Sequence, residues 1–172
     1  MSDLFERAFA LTVGEEGGFD KTRSDPGNWS GGAVGMGLLR GTKFGVSAAS
    51  YPTLDIEALT LAQARAIYLA DFWQRVAGDS LPAGVAMLVF DAAVNQGVGA
   101  AARLLQLAAG VAADGVIGPA TRRAVAAADA TGLALEFAAR RAVRYAETAR
   151  FALFGLGWMR RLMAVTRAAL AA

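Results

Sequence analysis

The sequence predicts a mainly α fold carrying a small glycine-rich loop or hairpin lobe, and three observations predict it. Apolar residues recur at three- and four-residue spacings in segment after segment. Ala, the best intrinsic helix former, supplies 40 of the 172 residues. Nine of the twenty Gly crowd into residues 17–45. A chain of this length buries a core without metals or disulfides. It holds neither His nor Cys, which excludes thiol nucleophiles, disulfide frameworks, imidazole bases and the usual zinc ligands. No cofactor and no metal are expected, so catalysis must run on carboxylates, hydroxyls, Lys or Arg.

Leu4, Phe5, Ala8, Phe9 and Leu11 predict a first helix from residue 3 to about 15, ended by Gly17-Gly18. Residues 17–45 follow as the lobe, with Asp25-Pro26-Gly27-Asn28 as a turn. Thr60-Leu61-Ala62-Gln63 is a capping box that starts a helix running to about Trp73, after a loop over 47–59. Pro82 opens the apolar segment Val85 to Val94, whose lone charge is Asp91, and this predicts the central buried helix. Asn95-Gln96-Gly97 stops it, and Gly99 to Ala109 resumes as helix. The turn 114–118 delivers Pro119 to the first position of a helix over 119–128. Two longer helices are expected over 133–151 and 157–171.

Charge divides along the chain. Residues 1–98 carry 7 Lys+Arg against 11 Asp+Glu, or −4, and residues 99–172 carry 10 against 4, or +6. Fifteen of the seventeen cations are Arg, which suits anionic oxygens, although a solvated helix face explains them as well. They lie in pairs such as Arg122-Arg123, Arg140-Arg141 and Arg160-Arg161 with no nucleic-acid motif, so no nucleic-acid partner is expected. Arg, Asp or Glu interrupts every apolar run, so no stable membrane insertion is expected. The first six residues lack the pattern of a secretory signal.

Glu15-Glu16-Gly17-Gly18-Phe19 places a carboxylate at the expected end of the first helix, where the helix dipole disfavours its ionised form and a raised pKa suits a general acid. The alternative is a solvated Glu pair. Asp25 lies nine positions after Glu16. Two carboxylates presented by a helix end and a lobe are the apparatus of glycoside hydrolysis, while Asp25 taken alone reads first as an ordinary Asp-Pro-Gly turn former.

Glu16-Gly17-Gly18-Phe19, the string from Ser24 to Gly32, the string from Gly41 to Pro52, Ala70-Asp71-Phe72-Trp73 and Phe90 to Gly97 together resemble glycoside hydrolase family 108, a family of lysozyme-like muramidases. Asp114-Gly115-Val116-Ile117-Gly118-Pro119-Ala120-Thr121 resembles the peptidoglycan-binding region that follows it. The resemblance implies a lysozyme-like helical fold, with a catalytic region over 1–93 and a helical peptidoglycan-binding region over 94–172. It implies Glu16 as the catalytic acid, with Asp25 and Thr42 completing the set. A Thr is expected six positions after the Asp, where Gly31 stands. Thr42 fits the family's Thr-x-x-Gly-[Ile/Val] pattern, which favours an insertion, and Ser30 is the alternative. Asn95 resembles an amide that lines the cleft, and it reads equally as a helix C-terminal residue. Trp29, Phe44, Tyr51 and Trp73 offer sugar-stacking faces, with Trp73 better placed for the core.

The expected activity is that of an endolysin-like N-acetylmuramidase cleaving the β-1,4 bond between N-acetylmuramic acid and N-acetylglucosamine. The expected partner is the peptidoglycan glycan strand, met by a monomer after holin-type or other release into the wall. The alternatives are a lytic transglycosylase, which needs one Glu and no nucleophilic water, and a non-catalytic wall-binding or phage structural protein.

Overall fold

The computed structural model describes residues 2–14 and 18–172. Among the described residues there are seven α-helices: α1 (Asp3–Thr12), α2 (Leu61–Tyr68), α3 (Ala83–Gln96), α4 (Val98–Ala108), α5 (Pro119–Ala127), α6 (Ala130–Ala146) and α7 (Phe151–Leu170). Two short strands, β1 (Thr42–Lys43) and β2 (Val46–Ser47), pair antiparallel with Thr42 opposite Ser47 and Lys43 opposite Val46. The mainly α, lysozyme-like expectation holds. The chain forms two compact units, one of residues 1–8 and 69–172 and one of residues 9–68.

In the larger unit α3 is the central element. Every side chain from Val85 to Ala93 is buried, because α4, α6 and α7 all pack against it. Trp73 is fully buried and meets Phe5 and Phe90 edge to face, with ring centroids 5.6 Å away in each case. The aromatic contacts that a sugar face would need are therefore spent in the core.

One charge sits inside this apolar helix. Asp91 is wholly buried, and its Oδ2 lies 2.6 Å from Nη1 of the equally buried Arg141 on α6. Its Oδ1 accepts from Nε of Arg161 on α7 at 3.0 Å. Arg141 also donates to the Tyr145 hydroxyl at 2.8 Å and lies over that ring. A buried carboxylate is tolerated only when charged partners satisfy it, and here two guanidinium groups from two other helices do so.

Several boundaries differ from those expected, among them the end of α6, which falls at Ala146 rather than at 151. α6 begins at Ala130 because Asp129 caps it, accepting the Gly132 N–H at 2.6 Å. α7 begins at Phe151 and runs through Gly155 and Gly157, each of which costs about 1 kcal/mol of helix propensity. Packing offsets that cost: Gly155 is buried against the Phe151 ring, and Trp158 stacks on Tyr145 at 5.2 Å. The α1 helix ends at Thr12 rather than at Gly17-Gly18, since Gly14 takes φ +77° just past the end, with its N–H turned to the Phe9 carbonyl.

The smaller unit has a modest core of Phe9, Val46, Ala48, Ile56, Leu59, Ala64 and Tyr68. Phe9 and Tyr68 meet edge to face at 5.5 Å. The capping box of α2 forms as expected, with Gln63 Oε1 accepting from Thr60 N at 2.9 Å and Thr60 Oγ1 accepting from Gln63 N at 3.2 Å. After Tyr68 the chain enters one π-helical turn over Leu69–Trp73.

Asp91→Asn leaves two guanidinium groups without their carboxylate and should cost about 3–5 kcal/mol, read by urea unfolding. Arg161→Met should cost less, since Arg161 is 34% exposed and solvent screens its charge.

Candidate active site

The expected site residues Trp29, Ser30, Asp25, Thr42 and Tyr51 belong to the smaller unit, and Asn95 belongs to the larger one. Glu16 lies outside the described residues.

The Asp-Pro-Gly-Asn turn forms a single 3-10 turn over Pro26–Asn28, with Asp25 as its cap. Asp25 is exposed and its Oδ1 accepts the Gly27 N–H at 2.8 Å, so it is a turn former by geometry. Turn formation and chemistry are compatible here, because the same bond fixes the direction of an exposed carboxylate.

Thr42 stands half-buried on β1. The Thr-x-x-Gly-Val string is a two-residue hairpin: Phe44 and Gly45 form its turn at φ +50° and +73°. Two successive positive φ values match the right-handed twist of the flanking strands. Gly45 is further required because a Cβ there would meet the Tyr68 hydroxyl at 2.5 Å, and that hydroxyl donates to the Phe44 carbonyl. The hairpin turn therefore explains Gly45 and Val46, while Thr42 is the strand's first residue.

Two residues missed in the sequence join these parts. Asp20 pairs with Thr42 through both backbone bonds, at 2.9 and 2.8 Å. Its carboxylate accepts from the Thr22 hydroxyl at 2.6 Å and from Asn28 Nδ2 at 2.8 Å. Asn28 is fully buried, and its carbonyl accepts from the backbone N–H groups of Arg40 and Gly41. Asp20 and Asn28 thus tie the turn that carries Asp25 to the strand that carries Thr42. The hydrogen bond from Thr22, then that from Asn28, holds the Asp20 carboxyl below its ordinary value of 3.8. The spacing Asp20-x-Thr22 is the signal for this local turn.

The remaining predicted residues are held by structural bonds. Ser30 Oγ accepts the Leu38 N–H at 2.9 Å, and Trp29 Nε1 donates to the Arg23 carbonyl at 2.9 Å. Trp29 and Tyr51 are half-buried. Asn95 is exposed near the end of α3, where its Nδ2 donates to the Asp91 carbonyl at 3.0 Å. In the same small unit Lys21, Arg40, Thr53, Asp55 and Glu57 line a hollow of about 250 Å³, bridged by Lys21 and Glu57 at 3.6 Å.

The string from Asp114 to Thr121 is organised by a buried amide that the sequence did not single out. Gln106 Nε2 donates to Asp114 Oδ1 at 2.6 Å, to the Val116 carbonyl at 3.0 Å and to Thr121 Oγ1 at 3.2 Å, while its Oε1 accepts the Gly115 N–H at 2.8 Å. Asp114 is held below the ordinary carboxylate range, first by Gln106 and then by the Val116 N–H.

Residues 9–97 match the family described as Glycosyl hydrolase 108. The chain belongs to that family. Residues 100–163 match a second description, Predicted Peptidoglycan domain. The structure is similar to that of Brucella abortus SagA, at 32% identity over 97% of this chain and 94% of that one, with a TM-score of 0.81. No curated protein matches. As a member of glycosyl hydrolase family 108 with a peptidoglycan region after it, the protein is a glycoside hydrolase acting on peptidoglycan. The match to the hydrolase family spans both packing units, so Asp25, Thr42 and Asn95 all fall within it.

Stability supplied by Asp20 is present above pH 3.8 and is lost as pH falls through its lower folded value. Asp20→Asn should lower the melting temperature at neutral pH and flatten its acid limb below about pH 4, measured by circular dichroism.

Proposed function

We propose that the protein is an endolysin-like N-acetylmuramidase that cleaves the β-1,4 bond between N-acetylmuramic acid and N-acetylglucosamine, acting as a monomer on the wall after release. Glu16 protonates the leaving oxygen, and Asp25 with Thr42 orients the attacking water. The observation that carries this reading is the exposed Asp25 carboxylate, fixed by its own turn and tied through Asn28 and Asp20 to the Thr42 strand. Water attack from the face opposite the acid inverts the anomeric centre. Half-buried Trp29 and Tyr51 offer stacking faces to the sugars, with Ser30 as a polar contact in the same unit.

Mass spectrometry of digested peptidoglycan tests the reaction: reducing ends are expected, and anhydro ends would make the enzyme a lytic transglycosylase. Glu16→Gln should lower lysis by about 10² to 10⁴-fold with folding intact, whereas Glu15→Gln should be mild. Asp25→Asn should impair turnover strongly and Thr42→Ala less, because a second water replaces part of a hydroxyl's role. A folded Glu16→Gln enzyme that keeps more than a few per cent of activity would exclude Glu16 as the acid.

The basic half supports capture of an anionic polymer. Arg141 takes no part in that, being buried against Asp91, and Arg140 is paired with Glu136 at 2.7 Å. Exposed Arg144 is the residue to reverse: Arg144→Glu should weaken binding to sacculi at low salt, with the loss shrinking once charges are screened beyond roughly 8 Å.

A further inference from the structure

The inner face of α7 is fixed by the fold. Leu162, Val165, Thr166 and Ala169 are buried, Arg161 reaches Asp91, and Trp158 stacks on Tyr145. The outer face therefore exists as a preformed surface. Along it Leu153, Leu156, Arg160, Met163, Arg167 and Leu170 are all exposed, at alternating spacings of three and four that set them in one row. Leu153 is 81% exposed, Leu156 67% and Met163 57%, and together they form a contiguous apolar row rather than scattered single residues. Leu156, Met159, Arg160, Met163 and Arg167 line a shallow groove of about 420 Å³.

We propose that this face of α7 docks on an anionic lipid membrane, the helix lying in the headgroup plane without crossing it. No helix among the described residues is long and apolar enough to span a bilayer. Charge selects the occupant. Residues 148–172 contain four Arg and neither Asp nor Glu. The three-four spacing is also that of a helix-pairing seam, and an antiparallel second copy would set Leu156 against Arg167 and Arg160 against Met163. Such a seam gathers four guanidinium groups with no acid on either α7 to pair them, which is a costly burial. Lipid phosphates supply the missing anions. Arg160 and Arg167 can turn their heads to the phosphates while their stems, with Leu153, Leu156 and Met163, reach the acyl boundary. Phe154, 49% exposed beside the row, widens the apolar face beyond a single-helix seam, as a planar partner requires.

The test is co-sedimentation of the full chain with vesicles of equal parts phosphatidylcholine and phosphatidylglycerol, against vesicles of phosphatidylcholine alone. Binding is expected to the first and not to the second. Each exposed cation near an anionic surface is worth about fivefold, so the pair Arg160→Gln and Arg167→Gln should weaken binding about 25-fold. The pair Leu156→Asn and Met163→Asn should weaken it by roughly tenfold or more. Both pairs are exposed, so circular dichroism should match the parent. Arg122→Gln with Arg123→Gln, exposed on α5, removes the same charge elsewhere and should change binding by no more than about twofold. Glu16→Gln should bind vesicles as the parent does, which separates this surface from catalysis.

Absence of binding to the anionic vesicles overturns the proposal. So does an equal loss from the α5 pair, which would mean diffuse attraction by a basic protein. A concentration-dependent dimer that Leu156→Asn with Met163→Asn dissolves, without vesicle binding, would make a second copy the occupant instead.

Discussion

The carboxylate of Asp91 is the constraint on which the larger unit depends. It sits in a helix whose neighbouring residues are all apolar and buried, so it has no solvent and no local partner. Its charge is affordable only because Arg141 and Arg161 arrive from α6 and α7. Burial of a single ion in a low-dielectric interior is prohibitive, and an apolar replacement of the whole group would pack as well. What the ionic group adds is orientation: three helices must present their side chains at one point for any of the charges to be satisfied. The stacking of Trp158 on Tyr145, and the Tyr145 hydroxyl bound to Arg141, extend that register along α6 and α7.

The smaller unit solves a different problem. Its glycine-rich stretch brings few apolar side chains, and backbone bonds through Asp20, Asn28 and the β1–β2 hairpin take over the role of a core. Hydrogen bonds are directional where hydrophobic contacts are not. A lobe built on them can hold an exposed carboxylate such as Asp25 at a defined angle, and half-buried aromatic rings beside it, while remaining open to a polymer.

The same division between local chemistry and long-range partners separates motif from mechanism in the peptidoglycan region. The string Asp114 to Thr121 reads as a recognition motif, yet its Asp and Thr are bonded to Gln106, eight and fifteen residues earlier. Their first duty is to close the loop between α4 and α5. The proposed capture of the polymer then falls to side chains that the clip leaves in solvent, such as the exposed Arg144 of α6.

Local signals determined much of this protein. The α2 capping box, Pro119 at the start of α5, the unbroken apolar run of α3 and the hairpin in the glycine-rich lobe were legible because each depends on residues within a few positions of one another. The family, too, was legible from chained motifs, and with it Glu16, Asp25 and Thr42 as candidates. Tertiary structure decided the rest. The pairing of Asp91 with Arg141 and Arg161 spans fifty and seventy positions, so no window of sequence separates buried Arg141 from its exposed neighbours. Asp20 and Asn28 look like loop polar residues until the fold brings Thr42 beside them. The start of α7 at Phe151 was hidden by Gly155 and Gly157, whose poor propensity is outweighed by aromatic packing that only the folded chain contains. Propensity, capping and turn chemistry act between near neighbours and can be read along the chain, whereas burial and ion pairing depend on which distant surfaces meet.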